Sequence, residues 1–199
     1  MHTLQLRKAI TAFVILTICS IIAVIPSPQA RASEADVPPQ LAGMEQFITV
    51  TDENRLSLDA ENAKEAGYSD DSIELVAEQL ASMNNLLANK QATLDIGEYS
   101  VSVYYRSTRA KGVNKTVVHW WGVTEYWMDS DRAQQLIEAL ENNDTAAGII
   151  PGWVGDISSM VTGSMLLQLK QAASKGTGVI MYTQIIAGTS VTNTWFTPQ

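Results

Sequence analysis

His119 opens the run His119-Trp120-Trp121-Gly122 and is followed by Glu125, Asp129 and Asp131. A histidine near carboxylates can move protons, and two carboxylates at a suitable separation can cleave a glycosidic bond. If residues 117–128 form one long aromatic strand, side chains alternate, and His119, Trp121, Val123, Glu125 and Trp127 share a face. On such a strand His119 and Glu125 stand apart, with Trp121 and Val123 between them. The plainer expectation for His119 is then a hydrogen-bonded ring in an aromatic sheet. Asp129 and Asp131 precede a helical pattern, where acids cap the first turn and meet its positive end.

The five tryptophans, Trp120, Trp121, Trp127, Trp153 and Trp195, all lie in the second half of the chain. Indoles pack cores, and when exposed they also offer flat faces to ligands. His119, Trp120, Trp121 and Trp127 are therefore the candidate binding residues, with core packing as the competing role. Other chemistries are excluded by residue type. The chain has one cysteine, Cys19, and two histidines, His2 and His119. If the N-terminus is removed, as argued below, His119 is the only histidine left and no cysteine remains. A zinc site of His and Cys ligands and a cysteine nucleophile are then out of reach. No Gly-x-Ser-x-Gly turn is present. Gly176-Thr177-Gly178 precedes a strand pattern and reads as a turn, not a phosphate loop. No metal and no cofactor is expected.

The elements that must position these residues fall in two groups. In the first, Phe47–Val50 is a short strand candidate. Asp59 can cap a short helix stopped by Gly67, and Ser69 can cap a second. Ile73, Val76, Ala77, Leu80, Met83 and Leu87 recur at helical spacing and predict one apolar stripe. In the second, Tyr99–Tyr105 alternates as a strand. Asp129 or Ser130 caps a helix with the stripe Ala133, Leu136, Ile137 and Leu140, broken at Asn142-Asn143-Asp144. A further helix is expected from Pro151 to about Ser174, since proline suits a first turn. Its small residues Gly148, Gly152, Gly155, Ser159 and Gly163 would form a ridge for close helix approach or insertion in a bilayer. Val179–Ile186 and Val191–Phe196 predict a C-terminal hairpin. The expected fold is α+β. A sheet with the aromatic strand and the C-terminal hairpin packs on two helices, and an acidic helical N-terminal segment docks on it.

Charge and the first residues set the compartment. Arg7 and Lys8 precede an apolar run from Ala9 to Ile25. Pro26 and Pro28 end it, and Ala30-Arg31-Ala32 offers a small-x-small cut before Ser33. These are the parts of a secretory signal, so residues 1–32 are expected to be removed and the protein secreted. The mature chain keeps ten bases against 21 acids, a net charge of −11. Residues 33–98, with 14 acids and three bases, carry all of it, while residues 99–199 hold seven of each sign. We therefore divide the chain into 1–32, an acidic helical segment 33–98 and an α+β domain 99–199. A strongly acidic chain repels phosphate backbones, so nucleic acid is not an expected partner.

Gly67-Tyr68-Ser69, His119-Trp120-Trp121-Gly122, the Gly-spaced segment, and the terminal hairpin with Trp195 and Gln199 resemble a loose group of small exported proteins of Gram-positive bacteria. Some of that group are similar to bacteriocin precursors, with a central segment richer in Gly and Ala than this more polar one. The resemblance implies export and carries no assigned reaction. The expected function is that of an exported, non-enzymatic bacterial protein acting by binding, bacteriocin-like or surface-interacting, with a membrane or cell-surface component as partner. The alternative is a hydrolase of wall glycan or peptide using His119 with Glu125 and Asp129.

Overall fold

The β-rich runs of the second half pair with one another in chain order. In this computed structural model the described residues are 37–88, 92–107, 110–154, 157–158, 160–188 and 192–199. The predicted signal, and Gly155, Asp156 and Ser159, lie outside them. Two short 3-10 turns lead into a small antiparallel hairpin, β1 (Ile48–Val50) and β2 (Leu56–Leu58). Helices α1 (Ala60–Glu65) and α2 (Asp70–Ala88) follow. The main sheet holds β3 (Ala92–Asp95), β4 (Ser100–Tyr105), β5 (Asn114–His119), β6 (Val123–Met128), β7 (Val179–Ile185) and β8 (Thr192–Pro198). It is antiparallel throughout, in that order. Helices α3 (Ser130–Glu141) and α4 (Gly163–Ala173) lie between β6 and β7. The fold is α+β, with the C-terminal hairpin inside the sheet.

The helix starts follow from capping chemistry. The Asp59 carboxylate accepts from Asn62 N at 3.1 Å, Ser69 Oγ from Ser72 N at 3.2 Å, and Asp129 from Arg132 N at 3.0 Å. Each satisfies an amide that a helix start leaves without a partner. α2 buries Leu75, Val76, Leu80 and Met83 against Val101, Val118 and Trp120. The expected stripe holds at Ile73, Val76, Leu80, Met83 and Leu87; Leu75 joins it, and Ala77 is exposed. α3 and α4 bury Leu136, Ile137 and Leu169 against Met128, Val179, Met181 and Phe196. The register puts Val101, Val118, Met128, Val179, Met181 and Phe196 on one face of the sheet. Both apolar clusters therefore lie on that face, one under α2 and one under α3 and α4.

Three expectations change. First, residues 117–128 are not one strand: β5 ends at His119 and β6 begins at Val123. Gly122 has φ +87°, a left-handed conformation that glycine adopts without strain, and its amide reaches His119 O. Second, the helix expected from Pro151 begins only at Gly163. Gly148 and Gly152 have φ +76° and +78°, which no right-handed helix accepts. A Cβ on Gly152 would lie 2.5 Å from Thr116 Oγ1 and 2.7 Å from Tyr105 OH, so the glycine permits close approach to the sheet. Residues 149–154 are turns laid over the strands, with Thr116 Oγ1 donating to Pro151 O at 2.7 Å. Third, position 98/99 is not a domain boundary. β3 pairs with β4 across it, and residues 35–199 form one compact unit.

Candidate functional site

No described helix packs on the other face of the sheet. The register places Tyr104, Lys115, Trp127 and Ile180 in one row across the strands, and Ser102, Val117, Glu125, Tyr182 and Trp195 in the next. The small and branched residues of this face are buried: Val117 is 6 % exposed, Val123 0 % and Ile180 6 %. Their cover is aromatic, because Trp121, Trp127 and Trp195 pack against Val123, Ile180 and Tyr182 while remaining partly exposed themselves. Tyr104 stands out at 63 % exposed.

The turn at Trp120–Gly122 does what a continuous strand could not. It folds β6 back along β5 and brings His119 beside Glu125, with Nε2 to Oε1 at 3.1 Å. The second carboxylate oxygen of Glu125 accepts from Trp127 Nε1 at 2.7 Å. Lys115 Nζ lies 3.9 Å from the Trp127 ring centroid, a cation–π contact. The His119 ring lies 4.3 Å from that of Trp121, tilted by 31°. Burial alone would raise the Glu125 carboxyl. The hydrogen bonds from His119 and Trp127, with the positive charges of His119 and Lys115, outweigh it and hold Glu125 below the usual carboxylate range. An ionised Glu125 only accepts, so His119 donates to it from Nε2 and not from Nδ1. That Nδ1 and Trp121 Nε1 are both buried without a hydrogen-bond partner.

The candidate residues divide accordingly. His119, Trp121 and Trp127 meet on the open face. Trp120 does not: it is 3 % exposed and belongs to the apolar cluster under α2, because successive residues in the turn point to opposite sides of the sheet. Asp129 is also elsewhere. It is 1 % exposed, and its oxygens accept from Arg132 N, Asn114 Nδ2 at 2.7 Å and Ser107 Oγ at 3.0 Å. It lies four positions along the chain from Glu125, roughly 13 Å at strand rise. The two carboxylates therefore do not form a pair. Among the described residues no hydroxyl bonds to His119 Nδ1.

Sequence reasoning passed over Tyr182, Tyr104 and Lys115 as members of this face. Tyr182 and Trp195 stack at 5.1 Å and 3°, a cross-strand pair fixed by the register of β7 and β8. Alternation from Trp127 to Lys115 was readable only once the β5–β6 hairpin was known. A recess of about 380 Å³ between α2 and the β7–β8 turn, lined by Asp71, Glu74, Leu75, Glu78 and residues 185–188, holds none of the candidates. Among the described residues no group of three or more His, Cys, Asp or Glu is placed to hold a metal, and no helix is long and apolar enough to cross a membrane. No family model, curated protein or solved structure matches this chain.

Proposed function

We propose that this chain is an exported, non-enzymatic bacterial protein that acts by binding a cell-surface component through the helix-free face of its sheet. The observation that carries the reading is the face itself: three partly exposed indoles and an exposed tyrosine on a rigid sheet whose opposite face takes all the helical cover. Rings held by a sheet lose little freedom on binding, which favours recognition. Export rests on the N-terminal pattern of charged start, apolar run and small-residue exit. A surface-interacting role is favoured over a bacteriocin-like one because the described part of the Gly-spaced segment packs into the apolar cluster under α3 and α4, with Ile150 and Ile157 buried.

The test is co-sedimentation of the mature protein with bacterial cells. Trp195→Ala and Tyr104→Ala are each expected to weaken retention at least about fivefold, as loss of an aromatic anchor does. Unchanged retention in both folded variants would overturn the reading.

One observation favours the hydrolase: the hairpin does place His119 on Glu125. Against it stand a carboxylate held ionised, unsuited to donate a proton, and Asp129 committed to a helix cap. His119→Gln is expected to leave any wall-degrading activity within severalfold. A loss of orders of magnitude with an unchanged melting curve would replace binding with catalysis.

A further inference from the structure

Resting on that reading, we infer that the open face takes an uncharged glycan, a chain of linked hexopyranoses, as its ligand. The chemistry of the exposed side chains selects among surface components. Interfacial indoles seat in a bilayer together with aliphatic neighbours that insert beside them, yet here Val123 and Ile180 are buried beneath indoles and Val117 is buried too. A polyanion, whether a phosphate-bearing wall polymer or an anionic lipid surface, meets a mature chain of net charge −11. Among the described strand residues of this face the base is Lys115, whose ammonium sits on Trp127 beside the ionised Glu125, so the centre of the face is close to neutral. Between the rings the polar side chains are uncharged, with Ser102 and Gln184 half-buried and Asn193 exposed. Hydroxyl and carboxamide groups between aromatic plates match a sugar, which presents C–H groups on its ring face and hydroxyls around its edge.

The plates are also fixed in advance. One face of Trp195 lies flat on Tyr182 at 5.1 Å, and β8 is the last strand of the sheet, so its ring stands at the border of the face. Trp127 is pinned by Glu125 at its indole nitrogen and by Lys115 over its ring, so its edge remains for contact. Trp127 and Trp195 are on strands two apart, roughly 10 Å across the sheet. A single sugar cannot reach both; a short oligosaccharide can.

The experiment titrates the mature protein with a soluble β-1,4-linked N-acetylglucosamine hexamer, followed by tryptophan fluorescence and calorimetry. Co-sedimentation with peptidoglycan stripped of its anionic polymers, and with anionic phospholipid vesicles, runs in parallel. The expected result is saturable binding of the hexamer and of stripped peptidoglycan, none to vesicles, and at least about tenfold weakening in Trp195→Ala. Trp195→Phe keeps a flat ring and is expected to retain most of the affinity, which separates loss of stacking from loss of folding. If neither hexamer nor stripped peptidoglycan binds while cells are still bound in a Trp195-dependent way, the glycan is wrong and the binding face stands. If vesicles bind instead, the ligand is lipid. If Trp195→Ala and Tyr104→Ala both bind cells as the wild type does, the face itself is wrong and the inference falls with it.

Discussion

The two faces of the six-stranded sheet bury apolar surface by different means. On one, Met128, Val179, Met181 and Phe196 lie under α3 and α4, and Val101 and Val118 lie under α2. On the other, Val123, Ile180 and Tyr182 are buried under Trp121, Trp127 and Trp195, with no described helix above. A helix closes a face and leaves nothing for a partner. An indole can cover a branched residue and keep an edge or ring face in water, because it is large, flat and carries a polar nitrogen. On the proposed reading the first face supplies stability and the second recognition, and substitutions on each can break that division.

The largest effect belongs to the covered face. Leu136 is fully buried between α3 and the sheet. Leu136→Ala removes that packing and leaves a cavity, an expected loss of about 3 kcal/mol in denaturant unfolding. A loss under about 1 kcal/mol would mean that α3 packs loosely and that the two faces are less distinct than described.

Next is the joint between strand and helix. Asp129 caps α3 and accepts from Asn114 and Ser107 while 1 % exposed. Asp129→Ala leaves those donors without their acceptor and is expected to cost about 2 kcal/mol. Cell retention is expected to be unchanged by Asp129→Asn, which preserves part of the cap. Loss of retention in a folded Asp129→Asn protein would draw Asp129 into the functional site.

The smallest effect is a pH dependence on the open face. Glu125 binds its proton more weakly folded than unfolded, since its carboxylate is held by His119 and Trp127. Its stabilising contribution is therefore complete above the ordinary value of 4.5 and is lost as pH falls through the lower folded value. Subtracting the stability profile of Glu125→Gln from that of the wild type should give a difference that shrinks as the pH drops below about 4.5. A difference that is flat with pH, or that grows on acidification, would mean that the His119–Glu125 contact does not persist in solution.

Much of the scaffold was legible from local rules. Asp59, Ser69 and Asp129 cap their helices because short polar side chains followed by apolar periodicity satisfy free amides. The terminal hairpin follows from β-rich runs flanking Ala187-Gly188. The failures share a cause. Residues 117–128 read as one strand because Trp120 and Trp121 continue the β-rich composition, and only the positive φ of Gly122 breaks it. Residues 151–162 read as helix because Pro151 and spaced glycines fit one. At residues 151–152 the chain instead turns where Gly152 fits against Thr116 and Tyr105, residues more than 30 positions away. Of the candidate site, His119, Trp121 and Trp127 were found by type. Trp120 was included for the same reason and excluded by its side of the turn.

The sequence by itself determined the α+β class, the starts of α1, α2 and α3, and the concentration of acidic charge before residue 99. These depend on local propensity and composition, which neighbouring residues settle among themselves. The tertiary structure alone decided that α2, α3 and α4 share one face, and that Glu125 and His119 meet while Asp129 does not. It also decided that Trp195 stacks on Tyr182 at the border of the other face. Those outcomes depend on strand register, where a shift of one residue sends every side chain to the opposite face, and register is fixed by turns and packing between distant segments.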